Sequence, residues 1–136
     1  TDKKITPIIC VGEQTRDSKG VYLDFVKEQI TSALMLLQKT KIKDVVFAYE
    51  PVWAIGKAAT RPATPVECQE MVIFIRKTIA DIAGDKVAAK VQVLYGGSVD
   101  EENAKSFLTE GAADGLLVGR VSTDMKKFTK LIQSIC

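Results

Sequence analysis

Four short apolar runs alternate along the chain with four longer segments whose apolar residues recur at helical spacing. The runs are 8–11, 45–49, 91–95 and 115–118. Three of the four are mostly apolar rather than alternating, which is typical of parallel strands covered by helices on both faces of a sheet. The pattern therefore predicts a β-α-β-α-β-α-β-α order with right-handed crossovers.

The second predicted helix has the clearest boundaries. Thr64 can cap its start, Pro65 suits its first position, and Glu67 completes a capping box. Gly84 suits its end. Its inward face is expected to carry Met71, Ile75, Ile79 and Ile82. The inward stripe of the first helix is expected to be Tyr22, Val26, Ile30, Ala33 and Leu37.

The other two helices are predicted from their starts and from a few apolar positions. Ser98–Glu101 has the composition of a capped start, and the fourth helix is expected to begin near Ser122. The third helix is predicted to turn inward Ala104, Phe107 and Leu108. The fourth is predicted to bury Phe128, Leu131, Ile132 and Ile135.

This element order fits two fold classes, a doubly wound α/β sheet and half of a (β/α)8 barrel. The pattern alone does not separate them. No linker or composition break divides residues 1–136, so one domain is expected. In both folds ligands gather at the carboxyl ends of the strands, and the search for function starts there.

Composition narrows the class of protein further. The 136 residues are 46% hydrophobic and 26% charged, with a formal charge of +2, which favours a globular protein without a nucleic-acid or membrane partner. No apolar run reaches the roughly 18 residues of a membrane span, and no signal peptide is visible.

Cysteine and histidine usage bears on compartment and chemistry. The three cysteines, at positions 10, 68 and 136, lack C-x-x-C spacing, which indicates a reducing compartment such as the cytoplasm. Cys10 and the methionines are expected in the core without a chemical role. The chain has no histidine, so the commonest general acid and base is missing.

Glycine follows three of the four predicted strands. The turn Gly96-Gly97-Ser98 is expected to lead straight into a helix, so its backbone N–H groups would form an anion site. Gly119 and Arg120 follow the neighbouring strand and would add two donors. The alternative is that these glycines only permit tight turns between strand and helix.

Glu50 is an unusual residue to find at the end of a buried strand. It follows five apolar or aromatic residues and precedes a proline. A carboxylate half-shielded by Tyr49, Trp53 and Ile55 suits a general base. The alternative is a structural carboxylate paired with a lysine. The connection 51–65 is long for a loop between strand and helix, and it suits a lid over a ligand or an ordinary packed surface loop.

These residues resemble a known family. The segment AYEPVWAIG, residues 48–56, is similar to the triosephosphate isomerase signature around the catalytic glutamate. Three more segments, 9–13, 95–99 and 114–119, resemble further family segments in the right order. The resemblance covers nearly the whole chain and implies strands five to eight of a (β/α)8 TIM barrel, the C-terminal half with four βα units.

The resemblance implies an activity and a set of site residues. Glu50 would abstract a proton from a triose phosphate and interconvert dihydroxyacetone phosphate and glyceraldehyde 3-phosphate through an enediolate. No cofactor or metal is expected. The phosphate would be held by backbone N–H groups of Gly56, Ser98, Gly119 and Arg120. The residues that latch the lid would be Glu13, Trp53, Ile55 and Tyr95.

The chain departs from the family pattern in three respects. The family uses a lysine and a histidine from the first half of the barrel, so the partners implied are that N-terminal half and, when complete, a second copy in a homodimer. The lid carries Lys57-Ala58 where the family has Thr-Gly, and Arg61-Pro62 make it longer. Arg120 replaces a glycine of the phosphate turn. The alternative function is a half-barrel that binds sugar phosphate without catalysis.

Overall fold

A computed structural model describes residues 5–56 and 59–136. Its strands are β1 (Ile8–Val11), β2 (Val46–Tyr49), β3 (Gln92–Tyr95) and β4 (Gly115–Leu116). Its helices are α1 (Val21–Leu34), α2 (Pro65–Ala83), α3 (Asp85–Ala88), α4 (Ala104–Thr109) and α5 (Met125–Ile135). Short 3-10 helices cover Lys39–Asp44, Val52–Ala54 and Arg120–Thr123. The predicted alternation of strands and helices is confirmed, and α3 is an additional turn of helix after Gly84.

The four strands form one parallel sheet in the order β1-β2-β3-β4. Val11 pairs with Tyr49, and Tyr49 pairs with Tyr95, so the carboxyl ends of the first three strands are level. β4 is shorter than predicted, although the Leu117 N–H still donates to the carbonyl of Tyr95 at 2.9 Å. An α/β fold with a parallel sheet is therefore established.

One face of the sheet carries the core. Phe47, Tyr49, Val93 and Tyr95 point to this face and pack against helix residues such as Ile75. The opposite face is partly open, because Ile8 is 50% exposed and Cys10 is exposed as well. Among the described residues this face is covered only in part, since Ala48 is buried there while Ile8 and Cys10 are exposed, so the expectation of strands covered on both faces holds fully on the core side alone.

The capping residues predicted for α2 are confirmed. The Thr64 hydroxyl accepts the Glu67 N–H at 3.3 Å, the Glu67 carboxylate accepts the Thr64 N–H at 2.8 Å, and Pro65 is the first helical residue. The helix ends at Ala83, before Gly84. Its buried face includes the predicted Met71, Ile75 and Ile79, whereas Ile82 is only partly buried.

Several burial predictions for the other helices are wrong. Ile132 and Met125 on α5 are exposed, and so is Met35 after α1. α5 starts at Met125 because the Asp124 carboxylate accepts the N–H groups of the next turn and a 3-10 helix occupies Arg120–Thr123. α5 meets the rest of the chain along a narrow stripe in which Leu131 is fully buried. No helix in the described ranges is both long and apolar enough to cross a membrane.

Burial of Ile75 tests the packing of α2 on the sheet. Ile75→Ala should lower the free energy of unfolding by about 2–5 kcal/mol, because it leaves a cavity in the core beneath the helix. Ile73→Ala is the matched control, since Ile73 is 59% exposed on the same helix and should change stability by less than about 0.5 kcal/mol. Urea unfolding measures both, and equal losses would contradict the assigned helix face.

Candidate active site at the carboxyl edge of the sheet

Glu50 continues the sheet one residue beyond β2. Its backbone N–H donates to the carbonyl of Val11 at 2.8 Å, and the Gly96 N–H donates to the carbonyl of Tyr49 at 2.8 Å. The Glu50 side chain is half-buried. Glu50 is therefore held between the ends of β1 and β3 by backbone hydrogen bonds on both sides.

Two glycines leave the space that Glu50 occupies. A Cβ on Gly12 would lie 1.8 Å from the backbone oxygen of Glu50, and a Cβ on Gly96 would lie 2.7 Å from its Cγ and 3.1 Å from its Oε1. Any larger residue at either position would collide with Glu50. The carboxylate of Glu50 therefore lies directly against the backbone of the Gly96 turn.

Cys10 lies beside this carboxylate and not in the core. The predicted burial of Cys10 is wrong, because its side chain points to the open face of the sheet. Partial burial raises the pKa of the Cys10 thiol, and the neighbouring Glu50 carboxylate raises it further. The thiol is therefore kept protonated at neutral pH.

The four residues predicted to hold phosphate line one cavity of about 700 Å³. These residues are Gly56, Ser98, Gly119 and Arg120. Ile55, Gly96 and Gly97 line the same cavity, and so do Asp100, Glu101 and Lys127. Lys127 was not predicted from the sequence, since nothing in the pattern of α5 indicates which of its lysines faces this cavity.

The turn after β3 differs from the predicted one. α4 begins at Ala104 rather than near Ser98. In the turn before it, the Asp100 carboxylate accepts the N–H groups of Glu102 and Asn103 at 3.0 and 3.1 Å. Asp100 thus occupies donors that a helix start would offer to an anion. The Ser98 hydroxyl instead donates to the carbonyl of Ala54 at 2.9 Å, which ties this turn to the loop after Glu50.

A buried carboxylate connects β1 to the same loop. Glu13 is 1% exposed. Its Oε1 accepts hydrogen bonds from the Tyr49 hydroxyl (2.9 Å), the Trp53 indole N–H (2.9 Å) and the Arg16 Nε (3.1 Å). We call these four residues the Glu13 cluster. The Glu13 carbonyl also accepts the Val52 N–H at 3.0 Å, so the cluster holds both ends of the turn after Glu50.

The Glu13 cluster brings together two predicted residues and two that were missed. The resemblance implies Glu13 and Trp53 among the residues that latch the lid, the sequence indicates Tyr49 only as a shield of Glu50, and no pattern indicates Arg16. Burial, and next the Glu13 carboxylate, raises the pKa of Tyr49, so its hydroxyl stays a donor. Tyr95 does not hydrogen-bond Glu13; its ring stacks on Phe107 at 3.9 Å between centroids.

The start of α2 adjoins this loop through an ion pair. Arg61 donates to both carboxylate oxygens of Glu67, at 2.5 and 3.0 Å. The Arg61 guanidinium, and next the capping bonds to Thr64, lowers the pKa of Glu67 to about 2. Lys57 and Ala58, where the sequence departs from the expected loop pattern, lie outside the described residues. Among residues 5–56 and 59–136 no group of three or more acidic, cysteine or histidine side chains could hold a metal ion.

The family model described as triosephosphate isomerase matches residues 1–135, nearly the full length of the chain.

The low pKa of Glu67 predicts a pH dependence of stability. The folded value is about 2 against an ordinary 4.5, so the ion pair stabilises the fold fully above pH 4.5 and this contribution is lost as the pH falls toward 2. Glu67→Gln keeps an acceptor for the Thr64 N–H but loses the charge. The free energy of unfolding should therefore fall by about 1–3 kcal/mol more in the wild type than in Glu67→Gln across that interval.

Urea unfolding between pH 5.5 and 2.5 measures this difference. Arg61→Ala should resemble Glu67→Gln, because it removes the main cause of the low pKa. Parallel stability curves for the wild type and Glu67→Gln would contradict the prediction.

Proposed function

Because this chain belongs to the triosephosphate isomerase family, we propose that it supplies the base and the phosphate site of an aldose–ketose isomerase. The substrates are dihydroxyacetone phosphate and glyceraldehyde 3-phosphate, and the base is Glu50. In this proposal residues 1–136 are the C-terminal half of a TIM barrel, with strands five to eight, and the enzyme works in the cytoplasm.

The proposal rests above all on the position of Gly96. Gly96 has no side chain, and the Glu50 carboxylate uses the space that one would fill. A Cβ on Gly96 would lie only 2.7 Å from the Cγ of Glu50. Gly96 also lines the 700 Å³ cavity with all four residues of the proposed phosphate site. Gly96 therefore adjoins both the Glu50 carboxylate and the proposed phosphate cavity. A base must lie this close to the site that holds the phosphate of its substrate.

The chemistry assigned to Glu50 is transfer of one proton between adjacent carbons. Its carboxylate takes a proton from C1 of dihydroxyacetone phosphate, and the electron pair of the broken C–H bond forms the enediolate. The protonated carboxyl then returns a proton to C2, and the hydroxyl proton on the C1 oxygen is replaced by a proton on the C2 oxygen through the electrophile assigned to the other half, which gives glyceraldehyde 3-phosphate. A general base of this kind contributes about 10²–10⁴-fold to the rate. The half-buried setting of Glu50 limits the water that competes for the proton.

The phosphate is assigned to the cavity of Gly56, Ser98, Gly119 and Arg120. The backbone N–H groups of these residues are the proposed donors. The guanidinium of Arg120 and the ammonium of Lys127 add positive charge among the lining groups, where Asp100 and Glu101 are negative. Two cations in the lining offset the two acidic side chains.

The loop after Glu50 is assigned the role of a lid. Glu13 and Trp53, joined at 2.9 Å, would latch one position of this loop, with Tyr49 as a further donor to the same oxygen. Ile55 lines the phosphate cavity and would cover the substrate. Tyr95, packed on Phe107, would contact the lid only in another position of the loop.

The chain is proposed to need a second half for turnover. It contains no histidine, and the face of the sheet that carries Cys10 and Ile8 is partly exposed. An N-terminal half with four further βα units would cover this face and supply the lysine and histidine of the family, and the complete enzyme would form a homodimer. The chain alone is expected to be inactive and to bind sugar phosphate at most. Binding without turnover even beside the first half would favour the alternative function, a phosphate-binding half-barrel.

Glu50→Gln tests the base in the enzyme that contains both halves. The amide cannot accept the proton, so kcat should fall by at least about 10²–10⁴-fold, with a smaller change in KM. Glu28→Gln, an exposed carboxylate on α1, serves as the matched control and should leave kcat unchanged. Near-normal turnover by Glu50→Gln in a coupled isomerisation assay would refute the assignment.

Arg120→Gly tests the phosphate site in the same assay. Loss of the guanidinium should raise KM by about tenfold, the effect of one charge-assisted hydrogen bond, while kcat changes less. Lys130→Ala removes an exposed cation of α5 that does not line the cavity and should leave KM as it is. An unchanged KM in Arg120→Gly would remove the side chain from the site.

A further inference from the structure

Trp53 is held by more than its bond to Glu13. The guanidinium carbon of Arg61 lies 4.3 Å from the centroid of the Trp53 ring, within the range of a cation–π contact. The guanidinium of Arg16 lies 6.0 Å from the ring, at the limit of that range. The Trp53 carbonyl accepts the N–H of Thr60 at 2.9 Å and its hydroxyl at 3.2 Å.

The Arg61 guanidinium is itself fixed by α2. It donates to both oxygens of Glu67 and to the carbonyl of Pro62 at 3.1 Å. Glu67 is oriented independently of Arg61, because its carboxylate accepts the N–H of Thr64 at 2.8 Å and the Thr64 hydroxyl at 2.9 Å. An exposed ion pair contributes little when two free side chains must both be ordered. Here one partner is already ordered by the helix cap.

We propose that Arg61 is a positioning residue that seats the Trp53 indole against Glu13 and so fixes the backbone that follows Glu50. The contacts run from the start of α2 through Glu67 and Arg61 to Trp53, three residues beyond Glu50. A flat guanidinium held by two oxygens presents its face to the indole, which a flexible ammonium cannot do. Arg61 thereby joins the proposed base to a rigid helix.

The competing interpretation is that Glu13 alone holds the indole. Arg61 would then contact the outer face of the indole without affecting its position. The two readings differ in what happens to Trp53 when the guanidinium is removed and Glu13 is left in place. Trp53 is the one tryptophan of the chain, and 5-fluorotryptophan with a Trp53→Phe reference assigns its ¹⁹F resonance even when the complete protein contains others.

The test is ¹⁹F exchange spectroscopy of Trp53 in the wild type, Arg61→Ala and Arg61→Lys. In Arg61→Ala the ratio of displaced to seated indole should rise about 3- to 30-fold, as expected for the loss of a cation–π contact together with an ion pair. Arg61→Lys should give an intermediate ratio, since it keeps a charge near Glu67 but loses the flat contact. Lys77→Ala is the control, because it removes an exposed cation paired with Asp81 on α2, at 3.2 Å.

Three results would overturn the proposal. These are an unchanged Trp53 resonance in Arg61→Ala, an equal change in Lys77→Ala, and an Arg61→Lys protein identical to the wild type. Salt gives a second readout, because near 1 M NaCl the Debye length is only about 3 Å. The ratio of displaced to seated indole in the wild type should then rise toward that of Arg61→Ala, whereas the ratio in Arg61→Ala should barely change. The inference rests on the proposed function only for its effect on turnover. The spectra test the position of Trp53 and the kinetic assay tests Glu50 as the base, so either proposal can fail without the other.

Discussion

The level register of the three parallel strands is the constraint on which the site depends. Because Val11, Tyr49 and Tyr95 pair in one row, the next residue of each strand lies in the next row, and those residues are Gly12, Glu50 and Gly96. A Cβ on Gly12 would lie 1.8 Å from the backbone oxygen of Glu50, and a Cβ on Gly96 would lie 2.7 Å from its Cγ, so neither neighbour can carry a side chain as the backbone stands. Glycine on both sides leaves the space to Glu50 alone. A one-residue slip of either neighbour would place Glu13 or Gly97 there instead and would turn every side chain of the strand to the other face.

The Glu13 cluster transmits this register to the loop. A carboxylate that is almost fully buried must have donors, and Glu13 has three on one oxygen, each from a different part of the fold. Arg16 follows β1, Tyr49 ends β2, and Trp53 lies in the loop. Removing any one donor leaves the others in place, whereas removing the carboxylate would leave the Tyr49 hydroxyl and the Trp53 indole N–H without their acceptor; Arg16 would keep Glu70, at 2.9 Å. The cluster therefore specifies a loop position more than it adds stability.

The sequence was informative where structure is local and failed where it depends on distant contacts. The capping box at Thr64 needs only four consecutive residues, and α2 formed as predicted. The start of α4 was wrong because Asp100 competed with Ser98 for the cap, and both residue types suit that position. The burial of Cys10 and Ile132 was wrong because each depends on which face the fold covers, and no periodicity contains that information. Arg16 was missed for the same reason, since its partners are separated along the chain.

Stability and chemistry occupy different sides of this sheet. The side chains of Phe47 and Val93 point to the helices and are fully buried, so they belong to the apolar core that holds the strands against the helices. The opposite face offers Ile8, Cys10 and the carboxylate of Glu50 at its edge. A base on such an edge can remove a proton only if an electrophile faces it across the substrate, and the open side is the direction from which that group can approach. In the proposed function, the lack of histidine in this chain and the incomplete cover of this face have one explanation, because the base and the phosphate site are assigned to one half of a barrel and the electrophile to the other.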